Sequence, residues 1–436
     1  MINKNLHNID YASISDKTSG KKIFWLCFCM GVLLFLRAIN TIFLYPAFII
    51  GIIVVLFSSP DSSLCMLFFT LPLGPIFKLS PESFSFFTVL FMVYVVKLFV
   101  LRSINIRTFF LILLFGGYLL LFSGVEQLIS IVTLLVGFLL VYFTLREKNI
   151  EFEKIIISYA FGLLEASVLG LMQDQLPIVK EYVVSELMKI GEGNYVDRFS
   201  GLHGNPNYFT VDVIIALAGL AILVMIKKHS IINIVLFGFL SVVGFLSVSK
   251  SFLLTWLIMF VWVIISSFQM QASKMLKAII IIACSFAVIY IFAASSIDLY
   301  VVRFFGVSKD SASEMTTGRT DIWVNYIHEI LSNTKTLFLG TGIGGKLVNG
   351  ESAHNTYIEL WYMLGFIGSI LYLCMVHSCI KVNNKRPLLI SCVPLVVFLV
   401  RLFAIGILLY DSIWFYMIVV GLALKEGQPQ REEVDL

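Results

Sequence analysis

The chain has 436 residues, 59% of them hydrophobic and 13% charged, with a formal net charge of +4 and a mean hydropathy of +0.95. Soluble chains carry about 25% charged residues, so the composition argues against a water-soluble enzyme, and so small a positive balance gives no footprint for nucleic acid. The expected fold is all-α: a polytopic integral membrane helical bundle.

The chain opens on a polar stretch in which Lys17, Lys21 and Lys22 precede 23-IFWLCFCMGVLLFL-36. No small-residue cleavage pattern follows, so this run reads as an uncleaved first span. Apolar runs of the length a bilayer requires, about 20 residues, recur near 23–39, 40–57, 62–77, 84–101, 108–123, 127–145, 155–176, 209–226, 230–248, 251–268, 277–296, 356–379, 388–409 and 411–424. Because the first three are short or closely joined, about 12–14 transmembrane helices are expected. Arg102, Arg107, Arg146, Lys148, Lys154, Lys227, Lys228, Lys274, Lys277, Lys381, Lys385 and Arg386 fall on one side of this arrangement. The positive-inside bias makes that side the cytoplasm, with both termini on it. The seven cysteines (Cys27, Cys29, Cys65, Cys284, Cys374, Cys379 and Cys392) lie in or beside apolar runs with no C-x-x-C pair. They read as small buried side chains, and no metal or other cofactor is expected.

Two outer segments are long, 177–208 and 297–355, and water-accessible chemistry is expected there. The first opens amphipathically, with Ile178, Tyr182, Leu187 and Met188 set against Lys180, Glu181, Glu186 and Lys189. That pattern predicts a helix lying on the membrane surface. The turn-rich stretch 198-RFSGLHGNPNYF-209 follows, and Asn205-Pro206 marks a helix start. In the second segment Thr320 is expected to cap a short amphipathic helix with Ile322, Trp323, Tyr326, Ile330 and Leu331 on one side, and Arg319 at its N-terminus. Gly340, Gly342 and Gly345 formally fit G-x-G-x-x-G, but without a βαβ unit around them they read as a turn joining two segments. The segment closes on Ser352-Ala353-His354-Asn355, at the mouth of an apolar helix. Within the spans lie Glu165, Asp212 and Arg401; intramembrane charges are costly and usually face a cavity or each other. Arg401 is expected either to reach an outer site or to pair with Glu165, and Asp411, at the outer turn, to be solvated.

The order of these marks carries a resemblance. An arginine before G-x-x-x-x-P-N (Arg198, then Gly201 to Asn207), a T-G-R-T-D-I-W stretch around Arg319, the turn F-L-G-T-G-I-G, and H-N followed by G-x-x-G (His354, Asn355, Gly365, Gly368) resemble the O-antigen ligase and O-antigen polymerase superfamily of bacterial inner-membrane glycan-transferring enzymes. The likeness runs from about Arg198 to Gly368. The form of 201-GLHGNPNYF-209, and Lys250 in 247-SVSKSFLL-254 where ligases usually show arginine, favour a polymerase.

The resemblance implies an undecaprenyl-diphosphate-linked oligosaccharide as both donor and acceptor, used on the periplasmic face without metal or nucleotide sugar. It also implies a chain-length regulator protein as partner, besides the surrounding membrane lipids. Arginine binds phosphate in a planar, two-pronged way, so Arg198 and Arg319 are expected to stabilise the leaving pyrophosphate. Lys250, Asn207, Asn355 and Arg401 are expected to contact the substrate. A histidine can take a sugar hydroxyl's proton near neutral pH, so His354 is expected to act as base or to orient the acceptor. His203 and His328 read as loop and surface residues. The alternatives are a ligase transferring glycan to lipid A-core, and a flippase, which would need polar residues along a path through the midplane.

Overall fold

The computed structural model describes residues 19–183, 187–190, 194–226, 231–268, 272–305, 318–380 and 388–426. The helices are α1 (Ser19–Ile39), α2 (Leu44–Phe57), α3 (Pro60–Thr70), α4 (Phe86–Leu101), α5 (Ile106–Ser123), α6 (Leu128–Thr144), α7 (Phe152–Leu171), α8 (Pro177–Tyr182), α9 (Pro206–Ile226), α10 (Ile231–Leu246), α11 (Lys250–Ser267), α12 (Ala272–Phe292), α13 (Ala294–Phe305), α14 (Arg319–Ser332), α15 (Thr334–Leu339), α16 (Thr356–Cys379), α17 (Val393–Leu402) and α18 (Ser412–Glu426). Among the described residues the other regular element is a small antiparallel hairpin of β1 (Leu187–Ile190) and β2 (Asn194–Asp197). The chain is an all-α, polytopic membrane bundle. Seven helices are long and apolar enough to cross a membrane, and shorter apolar helices at Thr41–Phe57, Phe86–Leu101, Ile231–Leu246 and Leu389–Leu402 accompany them among the described residues.

Each expected apolar run is largely helical, but two are cut short. The 62–77 run is α-helical only to Thr70, because Pro72 and then Gly74-Pro75 turn the chain through a 3-10 turn. The 388–409 run is α-helical only over Val393–Leu402, about 15 Å at 1.5 Å per residue. That is half of a hydrocarbon core of about 30 Å, so α17 ends short and the chain leaves it as irregular backbone.

The core is built around α9. Almost every side chain from Pro206 to Met225 is buried, as expected for a helix that is apolar all round. Helices α7, α10, α11, α17 and α18 pack against it. A second, smaller apolar cluster of Tyr326, Ile330, Ala353 and Tyr362 seats α14 on α16. Trp323 Nε1 donates to Ala353 O at 2.8 Å and Tyr326 Oη to Glu351 O at 2.7 Å, so α14 also fixes the strand of chain that leads into His354.

Several expectations are corrected. The amphipathic stretch after Pro177 is helical only to Tyr182, and Leu187 and Met188 belong to β1. Thr320 is not in the cap position: α14 begins at Arg319 behind Gly318, which is left-handed (φ 81°). Leu331 is exposed rather than on the buried face. Cys29 and Cys374 point outward, where a small apolar thiol meets lipid as well as it meets a core. Ser311 to Thr317 and Lys309 lie outside the described residues.

The glycine turn does join two segments. Helix α16 is broken at Gly365 (φ 60°, ψ −174°), and the turn backbone docks on the break. Thr341 N donates to Tyr362 O and Gly342 N to Met363 O, both at 2.9 Å. Tyr118 Oη lies 2.6 Å from Leu364 O and 2.7 Å from Leu339 O, bridging the two. A Cβ on Gly365 would sit 2.4 Å from Gly340 N, and left-handed backbone disfavours any other residue. Gly365→Ala is therefore expected to destabilise the protein by at least about 1–3 kcal/mol. The check is the thermal midpoint of the purified protein in detergent; an unchanged midpoint would show that the turn and the break are not held together this closely.

Candidate active site

The break between α17 and α18 brings the scattered candidate residues together. Four consecutive residues of this turn bond to three other parts of the chain. Ala404 O accepts from Arg319 Nη1 at 2.7 Å. Ile405 O accepts from Thr356 N at 3.0 Å and Thr356 Oγ1 at 2.6 Å. Gly406 O accepts from Tyr208 Oη at 3.2 Å. Ile407 N donates to Thr356 Oγ1 at 3.3 Å. The N-terminal ends of α9, α14 and α16 thus meet on one irregular turn, and Arg401, in the last turn of α17, adds α11.

Arg401 is fully buried. Its Nη1 donates to Ser251 Oγ at 2.5 Å, and its Nη2 donates to Asn207 O at 2.7 Å and Thr210 Oγ1 at 3.0 Å. All these partners are neutral, no carboxylate lies within ion-pair distance of Arg401 among the described residues, and Nε is buried without a hydrogen-bond partner. Arg319 is near enough to repel it. The alternative partner, Glu165, is elsewhere: its carboxylate packs on Gly31 of α1, where a Cβ would lie 2.6 Å from Oε2. The Glu165–Arg401 ion pair is therefore ruled out.

Arg198 is buried, and its Nε donates to Ser247 O at 3.0 Å. Ser249 Oγ, which also caps α11, lies 2.9 Å from Asn207 Oδ1 and 3.1 Å from Ser251 Oγ. Lys250 sits between these two serines as the first residue of α11. So Arg198, Asn207 and Arg401 are linked through the serines of one polar layer, and Lys250 lies between two of those serines in the chain. Two cations, Lys250 and Arg319, stand at the first position of a helix, where the backbone dipole favours anions and opposes positive charge.

His354 stands one residue before the cap of α16. Asn355 is that cap: its Oδ1 accepts from Tyr357 N at 3.0 Å and Ile358 N at 3.3 Å. That oxygen is committed to the helix, leaving its amide nitrogen for any substrate. His354 is left-handed (φ 48°), a conformation that costs most side chains about 1–3 kcal/mol. Glu359 is buried beneath it, accepting from Ser352 Oγ at 2.9 Å and facing the His354 amide. Its carboxylate rests on Gly406, where a Cβ would lie 2.3 Å or less from both oxygens. Val248 (φ 47°) is also left-handed, a rare state for a β-branched residue, and it too borders the site.

Asp411 is not solvated. It is half-buried and accepts from Thr88 Oγ1 at 2.7 Å; burial raises its carboxyl above the usual range, against the Thr88 hydrogen bond. It lines a cavity of about 190 Å³ with Thr88, Ser130, Thr133 and Trp414. His328 is exposed on α14, as expected, whereas His203 is not a simple loop residue: its Nε2 lies 2.7 Å from Asp212 Oδ2. Sequence reasoning passed over Tyr208, Thr210, Ser249, Ser251, Thr356 and the 404–407 turn. The hydroxyl run in 247-SVSKS-251 and the acid in 355-NTYIE-359 were the signals available. Among the described residues no group of His, Cys, Asp or Glu side chains could hold a metal ion.

Asparagine tolerates left-handed backbone and valine does not. His354→Asn should keep the wild-type thermal midpoint, whereas His354→Val should fall by about 1–3 kcal/mol. Equal stability of the two variants in thermal unfolding would remove backbone strain from the account of His354.

No protein-family model matches the sequence, and no curated protein matches it.

Proposed function

We propose that this chain is a bacterial inner-membrane glycosyltransferase of the O-antigen polymerase type. It moves an undecaprenyl-diphosphate-linked glycan onto the free sugar end of another lipid-linked repeat unit at the periplasmic face. The observation that carries this reading is Arg401: a fully buried guanidinium held by neutral groups, with no carboxylate at ion-pair distance among the described residues. A buried cation without a counter-charge is costly, and a bound anion relieves that cost. Arg319, Arg198 and Lys250 extend the same positive layer. A diphosphate with two or more negative charges suits it better than a single carboxylate.

In the proposed reaction the donor's anomeric C–O bond to phosphorus breaks, and its electron pair leaves with the diphosphate. The acceptor hydroxyl oxygen forms the new glycosidic bond and gives up its proton. Fixed cations aimed at the leaving oxygen lower the barrier without reorganising during the reaction, usually the largest contribution to such catalysis. In this reading His354, on the stretch that α14 fixes ahead of α16, binds the acceptor hydroxyl. The flippase alternative is less well supported, because these cations gather at a set of helix ends rather than along a path.

The first test is the purified protein with lipid-linked repeat units. The wild type should make longer glycans. Arg319→Ala should abolish extension while the protein still inserts, and Arg319→Lys should retain little activity, because a point charge cannot replace a planar fork. Near-normal extension by the alanine variant would return Arg319 to a purely structural contact with Ala404. In cells lacking the protein, collapse of the glycan ladder to one repeat supports a polymerase. Loss of all attached glycan with accumulation of lipid-linked polymer would support the ligase instead.

Sidedness has its own test. A cysteine at exposed Glu351 should react with a thiol reagent that cannot cross the inner membrane, and one at exposed Asn149 should not. Labelling at Asn149 alone would put the site on the cytoplasmic face and end the reading.

A further inference from the structure

Asp212 is a second buried charge, and the reaction above leaves it without a task. It lies within α9 with no exposed surface. Tyr159 from α7 and Tyr416 from α18 both donate to Oδ1, at 2.6 and 2.5 Å. His203 Nε2 lies 2.7 Å from Oδ2. Two phenols from different helices therefore fix the carboxylate, and its remaining oxygen faces the imidazole. A carboxylate inside a membrane bundle is expensive, which makes a functional role the default reading.

The histidine belongs to the active-site layer. It lies in the 198–207 turn, which is pinned at both ends: Arg198 Nε to Ser247 O, and Asn207 to Ser249 and Arg401. In between, His203 N donates to Ser200 O at 3.1 Å. Gly201 (φ 57°) packs so closely on Phe209 that a Cβ would lie 2.6 Å from the ring. This tight turn carries the His203 ring down to Asp212. Nε2 is buried, while the side chain as a whole keeps 22% of its surface exposed.

We infer that the His203–Asp212 pair is the proton acceptor of this site: Nδ1 of His203 takes the proton of the acceptor hydroxyl, and His354 holds that hydroxyl in place. The inference rests on the glycan-transfer reading. With the ring hydrogen of the neutral form on Nε2, beside the carboxylate 2.7 Å away, the lone pair is on Nδ1. An oriented base with a carboxylate behind it is the recurrent arrangement for activating a hydroxyl. As the acceptor O–H bond breaks, its electron pair forms the bond to the anomeric carbon, the diphosphate leaves with the pair of the broken C–O bond, and the proton rests on Nδ1. The Asp212 carboxylate balances the imidazolium until the proton passes to water. The other titratable groups facing the pair are Tyr159 on α7, Tyr416 on α18 and, within electrostatic reach of Tyr416, Arg401 on α17.

The test is single-turnover glycan extension against pH, at matched protein levels, with binding of the lipid-linked donor measured alongside. His203→Gln should lose roughly 10²–10⁴-fold in rate, the usual worth of a general base. Asp212→Asn keeps the shape and both phenol bonds but turns a donor toward Nε2, which moves the ring hydrogen to Nδ1; it should lose about 10⁴-fold, as carboxylate-to-amide changes behind a catalytic histidine do. Both variants should bind donor as the wild type does, and added imidazole should partly restore His203→Ala. An inactive wild type in this assay would end the glycan-transfer reading itself. With an active wild type, a His203→Gln rate within about threefold of wild type and an unchanged pH profile would overturn the pair's role. So would a slow Asp212→Asn beside a fast His203→Gln, which would make Asp212 structural only.

Discussion

Unwound backbone inside a membrane bundle needs hydrogen-bond partners, because lipid supplies none. The break after α17 leaves the carbonyls of Ala404, Ile405 and Gly406 without helical partners, and Arg319, Thr356 and Tyr208 supply them from three other helices. The dependence runs both ways. The break requires those donors, and the donors hold the beginnings of α14, α16 and α9 at fixed distances from one another. The geometry of the site follows from how one short helix ends.

Charge is arranged on this frame in two separate ways. Arg401 is cradled by a carbonyl and two hydroxyls, so its positive charge stays uncompensated. Asp212, only two residues beyond Thr210 on α9, is matched to His203 and two phenols instead. Had the aspartate met the arginine, both charges would cancel and the layer would have little pull on an anion. Keeping them apart costs stability, since each buried ion is several kcal/mol poorer than in water. A purely structural core has no reason to bear that cost, whereas a site that binds an anion does.

Much of this was legible in the sequence. Long apolar runs imposed the helices, and loop length set apart the segments where Arg198, Arg319 and His354 lie. The glycines at 340, 342 and 345 read as a turn joining two segments, and that turn docks on the break at Gly365, which the pattern did not single out as its partner. What the pattern concealed has physical causes. The shortness of α17 comes from the tertiary demands on its last turn, which a hydropathy window cannot register. The Thr320 cap failed because the helix starts two residues earlier, with Gly318 in the cap position and Thr320 already inside the first turn. The hairpin after α8 replaced an amphipathic helix because the two short runs flank the sequence 191-GEG-193, whose glycines break a helix and suit a hairpin connection. The partner of Arg401 was uncertain because sequence distance says nothing about which of Glu165, Ser251 and Asn207 lies beside it.

Ala404 and Ile405 meet the site through their main-chain oxygens, so their side chains carry none of the information that matters. Evolution can exchange them for other apolar residues without disturbing a single bond at the turn. Truncating Ile405 to alanine would report the loss of a buried side chain from the core rather than the bonds of the turn. Its importance becomes visible only to changes that alter the backbone itself, such as proline or an ester in place of an amide.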